Sequence, residues 1–315
     1  MIDYPAHLDA MWQKHLAPRE PNAPTVISTF AGAGGSSLGY SMAGYRELLA
    51  VEWDNNAIET FKLNFPGVPV YHGDIAKLSV DDCLGMAGIA PSELDVLDGS
   101  PPCQGFSTAG KRVMDDPRNQ LFREYARLLR GLRPKVFVME NVSGMVKGKM
   151  KLVFVEILKE LKASGYQVSA RLLNAMYFHV PQSRERMIFI GVRDDLGVAP
   201  THPRAEGRPV NGNQLLPDTL TNKRFLSWRN AGRRDDLRPI GGVPVGITRK
   251  GVDLEGRYVY SDAQGVKLFQ SYPSTFSFSG TNANALDRIG NSVPPLFMEA
   301  IARHIRREIL DRAEA

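Results

Sequence analysis

Thr25-Val-Ile-Ser-Thr-Phe-Ala-Gly-Ala-Gly-Gly-Ser-Ser-Leu38 opens the patterned part of this 315-residue chain. The run Thr25–Phe30 reads as a buried strand, and Ser36–Ala43 reads as a helix. Between them Gly32, Gly34 and Gly35 let the backbone turn sharply and approach a ligand closely. The spacing departs from G-x-G-x-x-G, because Ser37 stands at the third position. That departure weakens a dinucleotide reading, in which the helix N-terminus holds a pyrophosphate. A tight strand-to-helix connection without a ligand is the alternative.

Downstream, further strands are expected at Glu47–Val51, Val68–Tyr71, Leu94–Leu97, Lys135–Met139, Val168–Leu173 and Met187–Val192. Helices are expected at Asn55–Asn64, Gln120–Leu132 and Lys151–Ala163. Such alternation predicts an α/β fold with a mostly parallel sheet covered on both faces and ligands at the carboxyl ends of its strands. Upstream, Met1 to Pro24 has no apolar signal core, and Ala6–Leu16 reads as a short surface helix. After Arg193 the rhythm stops. Residues 194–256 are rich in Gly, Pro, Arg and Asn without a clear period, and an amphipathic helix follows from Pro295 to about Asp311. Its apolar positions are Leu296, Ile301, Ile305 and Ile309.

Composition narrows the possibilities. An apolar content of 43% supports a substantial core. The longest apolar runs are strand-sized, so no membrane span is expected. Two cysteines, Cys83 and Cys103, make no disulfide framework and point to a reducing, cytoplasmic setting. They are too few for a structural zinc site, and the six histidines show no ligand spacing, so no metal is expected. The net charge is +5, and residues 200–260 hold eleven Lys/Arg against six Asp/Glu, which is the whole surplus. A localised basic excess fits a polyanion partner; a solvated face is the bland alternative.

Two further stretches carry chemistry. Gly99-Ser-Pro-Pro-Cys-Gln-Gly-Phe-Ser107 puts Cys103 on a proline-stiffened turn after a strand, poorly placed for a core and well placed to offer sulfur. The strand from Lys135 ends in Glu140-Asn141-Val142, so a nucleophile and an acid sit at the ends of two strands. Near the glycine loop, the second strand ends in Glu52-Trp53-Asp54, about twenty residues after the first glycine, where an acid suits ribose hydroxyls. Trp53 can lie flat on an adenine, with core filling as the commoner use of tryptophan. Asp74, in Gly73-Asp74-Ile75, can accept from an adenine amino group. Together these favour a nucleoside without an obligatory phosphate.

These residues add up to a resemblance. The chain resembles the DNA (cytosine-5)-methyltransferases of bacterial and phage type. Phe30–Gly35, Glu52-Trp53, Gly73-Asp74-Ile75, Pro102-Cys103-Gln104, Glu140-Asn141-Val142, Gln182-Ser-Arg184-Glu-Arg186 and Gly290-Asn291-Ser292-Val293-Pro294 follow in the family's order. The resemblance implies a Rossmann-like S-adenosylmethionine-dependent methyltransferase sheet with a second, smaller target-recognition domain. The division expected is 1–193 for the cofactor-binding catalytic domain, 194–274 for the recognition domain, and 275–315 for a segment returning to the first. It implies S-adenosylmethionine as methyl donor, with S-adenosylhomocysteine as product, bound by Phe30, Gly32, Gly34, Gly35, Glu52, Trp53, Asp74 and Ile75. Asn291 and Ser292 are implied to lie near the cofactor.

Cytosine carbon 5 is a poor nucleophile. Adding a thiolate to carbon 6 turns the ring into an enamine that can attack, and Cys103 is the candidate. A free thiol is only a few per cent ionised at neutral pH; Arg186 nearby favours the anion. Glu140 must be protonated to serve N3 as the ring gains charge, which calls for a closed pocket. Asn141 is expected to fix the loop, and Arg184 is a second pocket candidate. Cys83, in contrast, reads as an inert apolar residue.

The target atom lies inside a duplex, so the base must swing out of the stack. The segment from Gln104 to Asn119 reads as a lid, in which Ser107, Lys111, Arg112 and Arg118 can reach phosphates. In the recognition region Arg224, Trp228, Arg233, Arg234 and Arg238 are candidates for phosphate and base contacts. Double-stranded DNA is the partner implied. A cognate restriction endonuclease acting separately is compatible with it, and a monomer is expected. The sequence also departs from the family. Near Asp262–Val266 the usual Arg-Glu pair is replaced by Asp-Ala-Gln-Gly-Val, and the recognition segment is short. A tRNA methylase of the same class lacks its Cys-Phe-Thr signature here. An inactive DNA-binding relative is opposed by Cys103 and Glu140, and a nucleotide-dependent oxidoreductase by the broken glycine fingerprint.

Overall fold

The computed structural model describes residues 3–102, 117–146, 150–207, 209–210, 212–215, 252–254 and 258–314. Helix α1 (Tyr4–Leu16) is capped by the Asp3 carboxylate and leads into β1 (Thr25–Thr29). Then come α2 (Gly35–Met42), β2 (Arg46–Glu52), α3 (Asn55–Asn64), β3 (Val70–His72) and α4 (Val80–Ala87). β4 (Val96–Gly99), α5 (Pro117–Leu132), β5 (Val136–Val142), α6 (Met150–Ala163), β6 (Tyr166–Asn174) and β7 (Glu185–Arg193) complete the alternating part. A small β8–β9 hairpin (Val252–Leu254, Tyr258–Tyr260) precedes α7 (Ala263–Phe269), α8 (Asn282–Asn291) and α9 (Pro295–Ile305), the last continuing through a wider turn to Leu310.

The seven-stranded sheet has the order β3-β2-β1-β4-β5-β7-β6. The first five strands are parallel, and β7 runs antiparallel between β5 and β6. Alternation along each strand sends successive side chains to opposite faces. Val26, Val96, Val136, Val138, Ile188 and Ile190 face one core with α1, α2 and α9. Ile27, Leu97, Phe137, Met139, Met187 and Phe189 face a second with α4, α5 and α6. Each fully buried aliphatic side chain contributes about 1.5–3 kcal/mol of transfer free energy.

The expected elements are present, most with ends shifted by one to three residues. α1 is less superficial than expected: Tyr4, Leu8 and Met11 are buried against α2. Three helices escaped the sequence reading: α4, α7 and α8. α7 covers the stretch where the Arg-Glu pair is missing; Asp262 caps it, and Ala263, Val266 and Phe269 enter the first core.

The returning segment is fastened twice. Leu296, Phe297, Met298 and Ile301 of α9 are buried beside α2, where a Cβ on Gly39 would lie 2.6 Å from the Pro295 carbonyl oxygen. Farther up, α3 presents Asn56, Thr60 and Asn64 at four-residue spacing to an extended stretch. The Ser277 backbone N–H donates to Asn64 Oδ1 (2.9 Å), Asn64 Nδ2 donates to the Ser277 carbonyl (2.8 Å), and the Ser279 N–H donates to Thr60 Oγ1 (3.0 Å).

Candidate functional site

At the end of β1, Phe30 takes φ 55° and Gly34 φ 90°, so the chain reverses before α2 begins. Gly35 is required by closeness: a Cβ there would meet the Val293 carbonyl oxygen at 2.3 Å and the Tyr272 hydroxyl at 2.8 Å. The glycine loop therefore rests on the Ser292-Val293 corner. Gly32 faces open space on its ligand side, with nothing within 4 Å of an added Cβ.

Glu52, ending β2, organises the rim of this notch. Its Oε2 accepts the Gly32 N–H at 2.8 Å, and its Oε1 accepts the N–H groups of Trp53 (2.9 Å) and Asp54 (3.0 Å). Trp53 is 77% exposed, which removes core filling as its role and leaves its ring free to stack. Asp54 caps α3 and receives Arg288 Nη2 at 3.3 Å. Asp74 caps the short turn Ile75–Lys77, and Ile75 is buried beneath it. A carboxylate pinned beside an open glycine and an exposed indole fits a nucleoside such as that of S-adenosylmethionine.

On the other wall, Ser292 Oγ donates to the Ile289 carbonyl (2.9 Å), and Asn291 Nδ2 donates to Asp287 (3.2 Å). Arg184 is buried, and its Nη2 donates to the carbonyls of Gly290 (3.1 Å) and Ser292 (2.9 Å). Burial pushes its guanidinium down to about 9, which still leaves it charged at neutral pH. Gln270 Nε2 donates to the same Ser292 carbonyl (2.6 Å), and Gln182 donates to Gln270 and to the Phe269 carbonyl. Arg184 is thus a brace for the Gly-Asn-Ser-Val corner. Gln182 and Gln270 share that task; Gln182 stands in the Gln-x-Arg-x-Arg motif without a role assigned from the sequence, and Gln270 carries no such signal.

Glu140 and Arg186 form a separate pair, with Arg186 Nε 2.6 Å from Glu140 Oε1. The carboxyl expected to carry a proton is ion-paired to Arg186. Asn141 Nδ2 donates to the Pro101 carbonyl at 3.1 Å, tying the end of β5 to the chain that leads to Cys103. Cys103 itself, with Gln104, Ser107, Lys111, Arg112, Arg224, Trp228, Arg233, Arg234 and Arg238, lies outside the described residues; Arg118 falls in the first turn of α5, where the backbone alone is described. Cys83 is buried in the second core with its thiol pushed up to about 11, so it offers no thiolate.

Among the described residues no group of His, Cys, Asp and Glu is arranged to hold a metal, and no helix is long and apolar enough to cross a membrane.

Known proteins match this arrangement. The family model for C-5 cytosine-specific DNA methylase matches residues 24–233 and 263–307. Type II methyltransferase M1.HphI of Haemophilus parahaemolyticus is 34% identical over 322 residues, 89% of this chain and 86% of that protein. Type II methyltransferase M.XorII of Xanthomonas oryzae pv. oryzae is 39% identical over 367 residues, 92% of this chain and 86% of that protein. An E. coli prophage protein described as a DNA modification methyltransferase shares the fold at TM-score 0.70 and 24% identity, covering 91% of this chain and all of that one. The Dnmt2 methyltransferase of S. pombe shares it at TM-score 0.64 and 18% identity, covering 91% and 99%. A pinned ribose-type acid, an open glycine loop and a braced Glu-Asn-Val end, in this order along one sheet, agree with that match: the chain belongs to the C-5 cytosine-specific DNA methylases.

Proposed function

We propose that this cytosine-5 DNA methylase works through a transient bond between the Cys103 sulfur and carbon 6 of a cytosine swung out of duplex DNA. The observation that carries the reading is the hydrogen bond from Asn141 to the Pro101 carbonyl, which fastens the strand of Glu140 to the chain two residues before Cys103. As sulfur adds to carbon 6, the ring electrons move toward N3, which takes a proton from Glu140. Arg186, adjacent to that carboxyl, holds it in place and offsets charge gathering on the ring. S-adenosylmethionine, when bound, supplies the methyl group that carbon 5 accepts. Water then takes the carbon 5 proton, N3 returns its proton to Glu140, and sulfur leaves as the thiolate, which restores the aromatic ring and the free enzyme.

For the cofactor, Glu52 would take the ribose hydroxyls, Trp53 would stack on the adenine, Asp74 beside Ile75 would accept from the adenine amino group, Phe30, Gly32, Gly34 and Gly35 would form the backbone cradle, and Asn291 and Ser292 would lie near it. Gln104, Ser107, Lys111, Arg112 and Arg118 contact the DNA backbone from the segment that follows Cys103, and Arg224, Trp228, Arg233 and Arg234 contact it from the recognition region. Residues 1–193 form the catalytic domain and 275–315 return to it. Leu196, Val198, Val210 and Leu215, like α7, share the first core, so the recognition region lies between Leu215 and Ala263. The enzyme acts as a cytoplasmic monomer, with a cognate restriction endonuclease as a separate protein.

Labelled S-adenosylmethionine offered with duplex DNA, and separately with tRNA, tests this. Label enters DNA and is lost in Cys103→Ser. Duplex DNA with 5-fluorocytosine at the target traps a denaturation-resistant adduct, because fluorine cannot leave as a proton. Full methylation without that adduct rejects the covalent route; label confined to tRNA rejects the substrate.

A further inference from the structure

Five polar side chains form a row across one face of the sheet. Glu47 lies opposite Val26, and Asp98 lies opposite both Ser28 and Val138. Glu140 lies opposite Ile188, and Arg186 opposite Val142. Two-residue alternation then puts Glu47, Ser28, Asp98, Glu140 and Arg186 on the face of Val26, Val138 and Ile188. Helix α2 covers the middle of the row. The Tyr40 hydroxyl donates to Asp98 Oδ1 at 3.3 Å, the Ser36 hydroxyl also donates to Asp98, and Ser37 Oγ donates to Ser28 Oγ at 3.3 Å. Asp98 is 4% exposed and has no cation partner among the described residues.

We propose that Asp98 is a positioning residue for the proton donor, its carboxyl and that of Glu140 sharing one proton between neighbouring strands. The proposal rests on the reading of Glu140 as donor to N3. Two carboxyls on one face of adjacent strands, with α2 excluding water, resist carrying two negative charges at once. Arg186, 2.6 Å from Glu140 Oε1, favours negative charge on that carboxyl, and on this proposal the shared proton therefore sits on Asp98. Burial is the main cause that raises Asp98 to about 7; the charge of Glu140 raises it further, and the hydroxyls of Ser36 and Tyr40 oppose both.

The other ionisable groups around it are Glu47, farther along the row, Tyr40 above, and Tyr125, whose hydroxyl donates to the Leu97 and Val138 carbonyls. When cytosine draws Arg186 toward itself, the Asp98 O–H bond is lost and a Glu140 O–H bond forms, with the pair's charge unchanged. N3 takes that proton as sulfur adds and returns it as sulfur leaves. An anionic Asp98 meanwhile keeps the donor from ionising uselessly.

The test is the pH profile of single-turnover methyl transfer at saturating DNA and S-adenosylmethionine. Asp98→Asn keeps the shape and cannot ionise. Its alkaline fall-off moves down by about one pH unit, so its rate is about tenfold lower at pH 8 and converges on wild type below about pH 5. An unchanged profile overturns the proposal. Glu140→Gln separates the underlying reading: full activity there refutes the donor role itself, whereas loss at every pH upholds it. Infrared titration guards against a misfolded Asp98→Asn. In Glu140→Gln the protonated-carboxyl band that titrates near neutrality shifts to lower pH than in wild type, and an unmoved band overturns the shared proton.

Discussion

Gly32 donates its backbone hydrogen to Glu52 Oε2 at 2.8 Å, so the carboxylate that ends β2 also shapes the loop that ends β1. One oxygen is committed to the loop and the other to the N–H groups of Trp53 and Asp54. Glu52→Ala is expected to raise the KM for S-adenosylmethionine by about 10–100-fold, since charge-assisted bonds of this kind are worth about 1.5–3 kcal/mol. Glu52→Gln keeps one acceptor and loses less. Isothermal titration with S-adenosylhomocysteine checks the order.

Asn141→Ala removes the tie to the Pro101 carbonyl while leaving Glu140 in place. A loosened nucleophile loop lowers kcat by about 10–100-fold through lost orientation, with little change in S-adenosylmethionine binding. Single-turnover transfer beside equilibrium binding separates the two effects.

Lys267 is a buried ammonium whose Nζ donates to Gln264 Oε1 (2.7 Å) and to the carbonyls of Ser274 (2.7 Å) and Phe276 (2.8 Å). It closes the turn that follows α7, in the stretch where the family's Arg-Glu pair is missing. Lys267→Met strands two carbonyls and is expected to cost about 2–3 kcal/mol, read as a lower denaturant midpoint at unchanged slope. Lys267→Arg does not rescue, because the fork does not match three converging oxygens.

Glu47 sits at the far end of the polar row with its carboxyl buried, and desolvation raises it to about 8. A folded-state value above the unfolded one means full stability below the ordinary carboxylate range and progressive loss as pH rises to about 8. Glu47→Gln removes part of that slope. The variant gains relative to wild type at pH 8.5, on the order of a few kcal/mol at most, and loses the advantage at pH 5. Thermal melts across that range decide it.

The sheet was legible in the sequence because its strands are short apolar runs between turn residues, and period alone locates them. α4 was not: in Val80–Ala87 only Cys83 and Leu84 are buried, too few to set a period. Its cap was readable, since the Ser79 hydroxyl accepts the Asp82 N–H. The Thr281–Asn284 capping box likewise marks α8. Trp53, Glu52 and the Glu140-Asn141 end were legible because each follows a strand directly. The alliance of Asp98 with Glu140 was not, because it depends on the register of β1, β4 and β5, which no local pattern encodes. Glu47 joins the row only through the irregularity between Val26 and Ile27, where Leu48 is passed over.

The support of the glycine loop by Ser292-Val293 has a consequence for biosynthesis. The surface that backs Gly35 and Gly39 is translated more than two hundred residues after the glycine loop it supports. A nascent chain stalled before Gly290 holds every glycine of its nucleoside cradle and lacks the floor beneath it. A fragment that stops there is expected to hold the methyl donor far more weakly than the whole chain.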